Sequence, residues 1–144
     1  MKVIEDMFSK YAAEWTNKIG EMREMILANL VMVSQIPAKF FNEQRRAAFI
    51  LDRYIEGGLS DPHIDDIGNV IGTIPGRDSN RKILISAHMD TLFDASIDHN
   101  MSITTHRAEG TGIADNAMGV TVLITLPDLL QKLNLQFESD IILK

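Results

Sequence analysis

Nine residues, Ile83-Leu84-Ile85-Ser86-Ala87-His88-Met89-Asp90-Thr91, constrain this chain more than any other stretch. Residues 82–87 read as a continuous apolar strand, the kind buried on both faces of a parallel sheet. The strand then delivers a histidine and, two residues later, a carboxylate. Helical spacing follows over 117–133, with Leu123, Leu126, Leu130 and Leu133 at steps of three, four and three. Pro127 should bend or break that helix. Asp140-Ile141-Ile142-Leu143-Lys144 begins another strand. Strand, helix and strand make a βαβ unit, expected to be right-handed. Ligands of such sheets bind at the carboxyl ends of the strands. His88 stands at one such end, and Asp115 stands just before the helix.

The residues upstream read as scaffold. Nine apolar side chains from Ile4 to Val33, among them Phe8, Tyr11, Trp15, Ile19, Met22, Ile26 and Leu30, recur every 3.6 residues on average. Thr16, Asn17 and Gly20 weaken the pattern, so one long helix and two in line both fit. Met7, Met22, Met25 and Met32 read as core filler. Ile36-Pro37 ends this element, because the residue before proline is pushed out of the helical region. A further helix is expected after an Asn42 cap, with Ala47, Ile50, Leu51 and Tyr54 inward and a stop at Gly57-Gly58. Arg45, Arg46, Asp52 and Arg53 read as its solvated face. Residues 70–74 form the best strand of the next segment, after a hairpin turn at Asp66-Ile67-Gly68-Asn69. Asp61, Asp65 and Asp66 lack the spacing of a calcium loop and read as turn chemistry. Residues 92–112, with His99 and His106, are long for a structureless connection, and such loops tend to be functional.

Composition excludes several classes. With 144 residues the chain suits one domain. A net charge of −6 argues against a nucleic-acid partner, which would need a basic face. There is no cysteine, so a metal must be held by His, Asp or Glu. No apolar run approaches the ~20 residues that span a bilayer, and the N-terminus lacks a signal-peptide core. A cytoplasmic protein with no membrane partner is the expectation.

His88, Asp90 and Asp115 each have an ordinary structural reading when taken alone. Together they suggest a metal centre. A His-x-Asp at a strand end sets a carboxylate beside the imidazole, where it can accept the other ring proton and fix the tautomer. Ser86-Ala87-His88-Met89-Asp90-Thr91 and Gly112-Ile113-Ala114-Asp115-Asn116-Ala117-Met118-Gly119 resemble the two N-terminal motifs of the zinc-dependent exopeptidases and deacylases. That family includes glutamate carboxypeptidase, peptidase T, acetylornithine deacetylase and aminoacylase. The lead-in at residues 68–76 is also similar, and Asp115 follows His88 by 27 residues.

The resemblance implies an α/β fold: the N-terminal part of a phosphorylase/hydrolase-like three-layer α/β/α peptidase domain. Its sheet would be incomplete, and no lid or dimerisation domain would be present. Residues 1–35 would be an N-terminal helical segment and 36–144 the α/β part carrying the motifs. By the same resemblance His88 would ligate one zinc, Asp115 would bridge two, and Asp90 would orient His88. Manganese or cobalt would suit the same ligands. The Asp115-Asn116 bond is similar to one that is cis in the family. The substrate would be a peptide or an N-acyl amino acid, and the complete protein a homodimer. The family's Glu-Glu pair, general base and zinc ligand, has no counterpart up to Lys144, and Glu138 and Asp140 are poor substitutes. The chain is therefore expected to be inactive alone. The rival reading is a non-catalytic assembly module that pairs through an exposed strand edge at 140–144.

Overall fold

A computed structural model describes residues 2–144, and side chains from Ser9 onward. The roles expected of Ile4, Met7 and Phe8 lie outside the described residues. Helix α1 (Lys2–Glu21) is followed directly by α2 (Arg23–Gln35), so two helices in line replace one. They meet at Met22, which is buried, while Met25 and Met32 are not. Among the described side chains the filler reading therefore holds for Met22 alone. Ile36 is extended and ends α2, as its proline neighbour requires.

Helix α3 (Gln44–Glu56) buries Ala47, Ile50 and Tyr54. Asn42 does not cap it. The chain turns through Phe41 at φ 67°, Glu43 takes the cap position, and its carboxylate accepts the Phe41 N–H at 2.7 Å. Gly57 and Gly58 end the helix, Gly58 at φ 71° where a side chain would be strained.

Strands β1 (Ser60–Ile64) and β2 (Val70–Ile74) form the expected hairpin. Its turn is tied by Asp65, whose carboxylate accepts the Asn69 side-chain amide at 2.7 Å and the N–H groups of Asn69 and Ile67 at 2.8 and 3.1 Å. The Asn69 amide, then those backbone donors, hold the Asp65 carboxyl below the usual carboxylate range. A depressed folded pKa gives stability that is present above the unfolded value and lost as pH falls through the folded one. Asp65→Ala is thus expected to lower Tm at neutral pH, with the gap to the parent narrowing below about pH 4. Calorimetry across that range checks it; a gap independent of pH would refute it.

Strand β3 (Asp78–Ile85) runs parallel to β6 (Ser139–Leu143), and β6 also pairs antiparallel with β2, giving the order β1-β2-β6-β3. Between β3 and β6 lie a short hairpin of β4 (Ser102–Ile103) and β5 (Ala108–Glu109) and the helix α4 (Met118–Leu133). The 92–112 loop is therefore partly structured. Pro127 lies inside α4 without ending it. Tyr54, Val120, Leu123, Ile124, Ile141 and Leu143 meet in the core.

Two expectations fail here. β3 is not buried on both faces. It is a sheet edge, paired only with β6, and Ile83 and Leu84 are 42% and 60% exposed. Conversely, β6 is no edge, because β2 and β3 flank it. The edges of the sheet are β1 and β3, not 140–144. Leu84 therefore contributes little to the fold. Leu84→Lys is expected to change stability by about 0.5 kcal/mol or less while reducing self-association through the edge. Urea melts and light scattering measure the two effects.

The segment Ile113–Leu133 also departs from expectation. By length and composition, with mean hydropathy 1.3, it is apolar enough to span a bilayer. It is apolar because it supplies core: Val120, Leu123, Ile124 and Leu130 are all buried.

Candidate metal centre

The pairing of β3 with β6 runs on past the strand ends. Lys144 N–H donates to the Ile85 carbonyl and Ala87 N–H to the Lys144 carbonyl, both at 3.0 Å. His88 follows the last of these bonds, at the carboxyl end of a parallel strand. From the other side, Gly112 at φ 71° turns the chain into residues 113–117. There Asp115 and Asn116 leave helical geometry and the peptide between them is cis, as the resemblance implies.

The two segments converge on one imidazole. His88 Nε2 lies 3.0 Å from Asp115 Oδ1, and His88 Nδ1 lies 3.3 Å from Asp90 Oδ1. The side chains of His88 and Asp115 are open to solvent, 51% and 81% exposed, whereas Asp90 is more covered at 28%. All three residues singled out in the sequence thus meet, with Asp115 on the outer nitrogen and Asp90 on the inner one. Glu138 and Asp140 do not join them. Glu138 pairs with Arg77 at 3.2 Å, and Asp140 accepts the Gly76 N–H at 2.8 Å. His63 and His99 are engaged by the Asp61 and Asp94 carbonyls, each at 2.8 Å.

Two residues that hold this site were missed in those roles. Asn116 donates its amide to the His88 carbonyl at 3.2 Å and accepts the Gly119 N–H at 3.2 Å. A side chain at residue 119 would collide with that amide, so the last glycine of the motif makes room for Asn116. Arg46 is the larger surprise. It is 1% exposed, not part of a solvated face. Its Nη1 donates to the Met89 carbonyl at 2.7 Å, its Nε to the Ile36 carbonyl at 3.1 Å, and its Nη2 to that same oxygen. Burial draws the guanidinium down to about 10, against the pull of Asp90, and leaves it charged at neutral pH.

The donor set fits a metal in part. An imidazole nitrogen and a carboxylate oxygen that converge suit zinc, manganese or cobalt, and Asp90 stands where a partner for the second ring nitrogen is needed. A catalytic zinc takes about three protein ligands. Among the described residues, no group of three His, Asp or Glu side chains is placed to hold an ion.

A family model, peptidase family M28, matches residues 69–144, more than half of the chain. The chain belongs to peptidase family M28. The match takes in β3, both motif segments, α4 and β6, so the family assignment and the converging residues coincide. The fold is also that of solved peptidases. An aminopeptidase PepT from Bacillus cereus superposes with a TM-score of 0.67 at 19% identity, covering 83% of this chain and 35% of its own. A tripeptidase from Staphylococcus aureus gives 0.63 at 17% identity, with 82% and 35% covered. An aminoacylhistidine dipeptidase from Vibrio alginolyticus gives 0.59 at 23% identity, with 82% and 26% covered. This M28 chain thus spans about a third or less of the length of those structures. No curated protein matches it.

Proposed function

We propose that this M28 chain carries the N-terminal half-site of a metal-dependent exopeptidase acting on short peptides. The observation that supports this reading is the convergence of His88 Nε2 and Asp115 Oδ1 at 3.0 Å, with Asp90 on the opposite ring nitrogen. His88 and Asp115 would hold the metal, zinc before manganese or cobalt, and Asp115 has a second oxygen with which to reach a second ion. When bound, the metal would act as Lewis acid on the scissile carbonyl and favour ionisation of water. Asp90 would keep the Nδ1 proton of His88, so that Nε2 presents its lone pair outward. The Asn116 amide would hold the His88 carbonyl and so keep the two motif segments in register. A group that accepts the proton of the attacking water would come from outside residues 1–144.

Short peptides are favoured over N-acyl amino acids because the neighbouring structures are named as an aminopeptidase, a tripeptidase and a dipeptidase. The reading includes a cytoplasmic location, which fractionation would test. The decisive assay compares residues 1–144 with a chain extended to the length of those relatives. Both are offered di- and tripeptides and N-acyl amino acids, with zinc and with chelator. The extended chain should hydrolyse peptides and stop on chelation, and residues 1–144 should be inert. Chelator-insensitive hydrolysis, or turnover by residues 1–144 alone, would overturn the proposal.

A further inference from the structure

We infer that Arg46 is a positioning residue for the His88–Asp90 pair, fixing the backbone between them so that the imidazole faces Asp115. The inference rests on reading His88 and Asp115 as metal ligands, but its geometry stands apart from any ion. Two consecutive carbonyls in the strand exit are held by side chains from opposite directions. The His88 carbonyl accepts the Asn116 amide at 3.2 Å, and the Met89 carbonyl accepts Arg46 Nη1 at 2.7 Å. The second belongs to Met89, the residue between His88 and Asp90 in the chain.

Arg46 is itself fixed. Its Nε and Nη2 share the Ile36 carbonyl, exposed by the end of α2, so the guanidinium spans from the α2 terminus to the strand exit. The next residues reinforce the same frame, since Thr91 N–H donates to the Ala38 carbonyl at 2.7 Å. Only a planar fork of donors can serve two carbonyls at once in this way; a lysine offers the charge at a single point. Asp90 also lies within reach of the Arg46 charge.

The test uses this chain without metal and reads the ring nitrogens of its four histidines by long-range proton–nitrogen NMR. Arg46→Lys is the main variant, because it keeps the charge and the bulk. Ile50→Val, from the same helix and core, controls for general loosening. In the parent, the His88 ring nitrogens, each facing a carboxylate, should give one set of shifts distinct from those of an unrestrained imidazole. Arg46→Lys should move the His88 nitrogen shifts toward those of an unrestrained imidazole and leave His63, His99 and His106 unmoved. Ile50→Val should lower Tm without altering any of them. If Arg46→Lys melts lower and His88 keeps the parent's nitrogen shifts, Arg46 is merely structural and the inference is overturned. A parallel zinc titration of parent and variant, each extended to the length of the relatives, separates the underlying reading. With that reading intact, Arg46→Lys should weaken zinc by about 10- to 100-fold. Failure of the parent to bind zinc would refute the metal reading and leave the NMR result to decide the role of Arg46.

Discussion

Arg46→Met is expected to cost this chain about 2–5 kcal/mol, because it leaves two carbonyls without their donor. Methionine replaces much of the volume but none of the donors. The Ile36 and Met89 carbonyls would then be left without the guanidinium that serves both. Each buried acceptor left unpaired costs about 1–3 kcal/mol. Urea melts of parent and variant measure the difference. A loss below about 1 kcal/mol would mean that the carbonyls find other donors and that the fork is dispensable.

The reason Arg46 escaped the sequence reading is instructive, because its position was legible. It stands four residues before Ile50 and eight before Tyr54, on the same stripe of α3 as those two buried side chains. Residue type outweighed periodicity in assigning it to solvent, as it does for almost any arginine. The strand β3 failed in the opposite way. Ile83, Leu84 and Ile85 correctly advertise a strand, and β3 does run parallel to β6. A run of apolar residues states what a segment can tolerate, not what covers it, and among the described residues nothing pairs with its outer side. Asn42 has the right chemistry for a helix cap, yet the positive φ at Phe41 moves the start of α3 to Glu43. By contrast, the hairpin turn, the αL stop after α3, the βαβ unit and the convergence of His88, Asp90 and Asp115 were all readable. Each depends on neighbours in sequence or on one parallel crossover. The Asn29–Thr125 hydrogen bond, 3.1 Å and buried between α2 and α4, has no such local signature.

On the metal reading proposed above, His88→Ala and Asp115→Ala in a chain extended to the length of its relatives should each lower kcat/KM by more than about 1,000-fold, equivalent to about 4 kcal/mol of transition-state stabilisation. The two losses should be similar in rate but differ in metal content. His88 offers one nitrogen, so its removal should release the ion that it holds. Asp115 has one oxygen 3.0 Å from His88 Nε2 and a second free to turn elsewhere, so its removal should deplete both ions of a paired site. Asp90→Asn should be milder, about 10- to 100-fold, because Asp90 acts on the ligand and not on the ion. Its amide can still meet Nδ1 but no longer favours the same tautomer. Steady-state kinetics with metal counts on each purified variant distinguishes the three. An Asp115→Ala enzyme with parental rate and full metal content would dismiss the bridging role. Equal losses in all three would make Asp90 a direct participant in the reaction, not the support of His88.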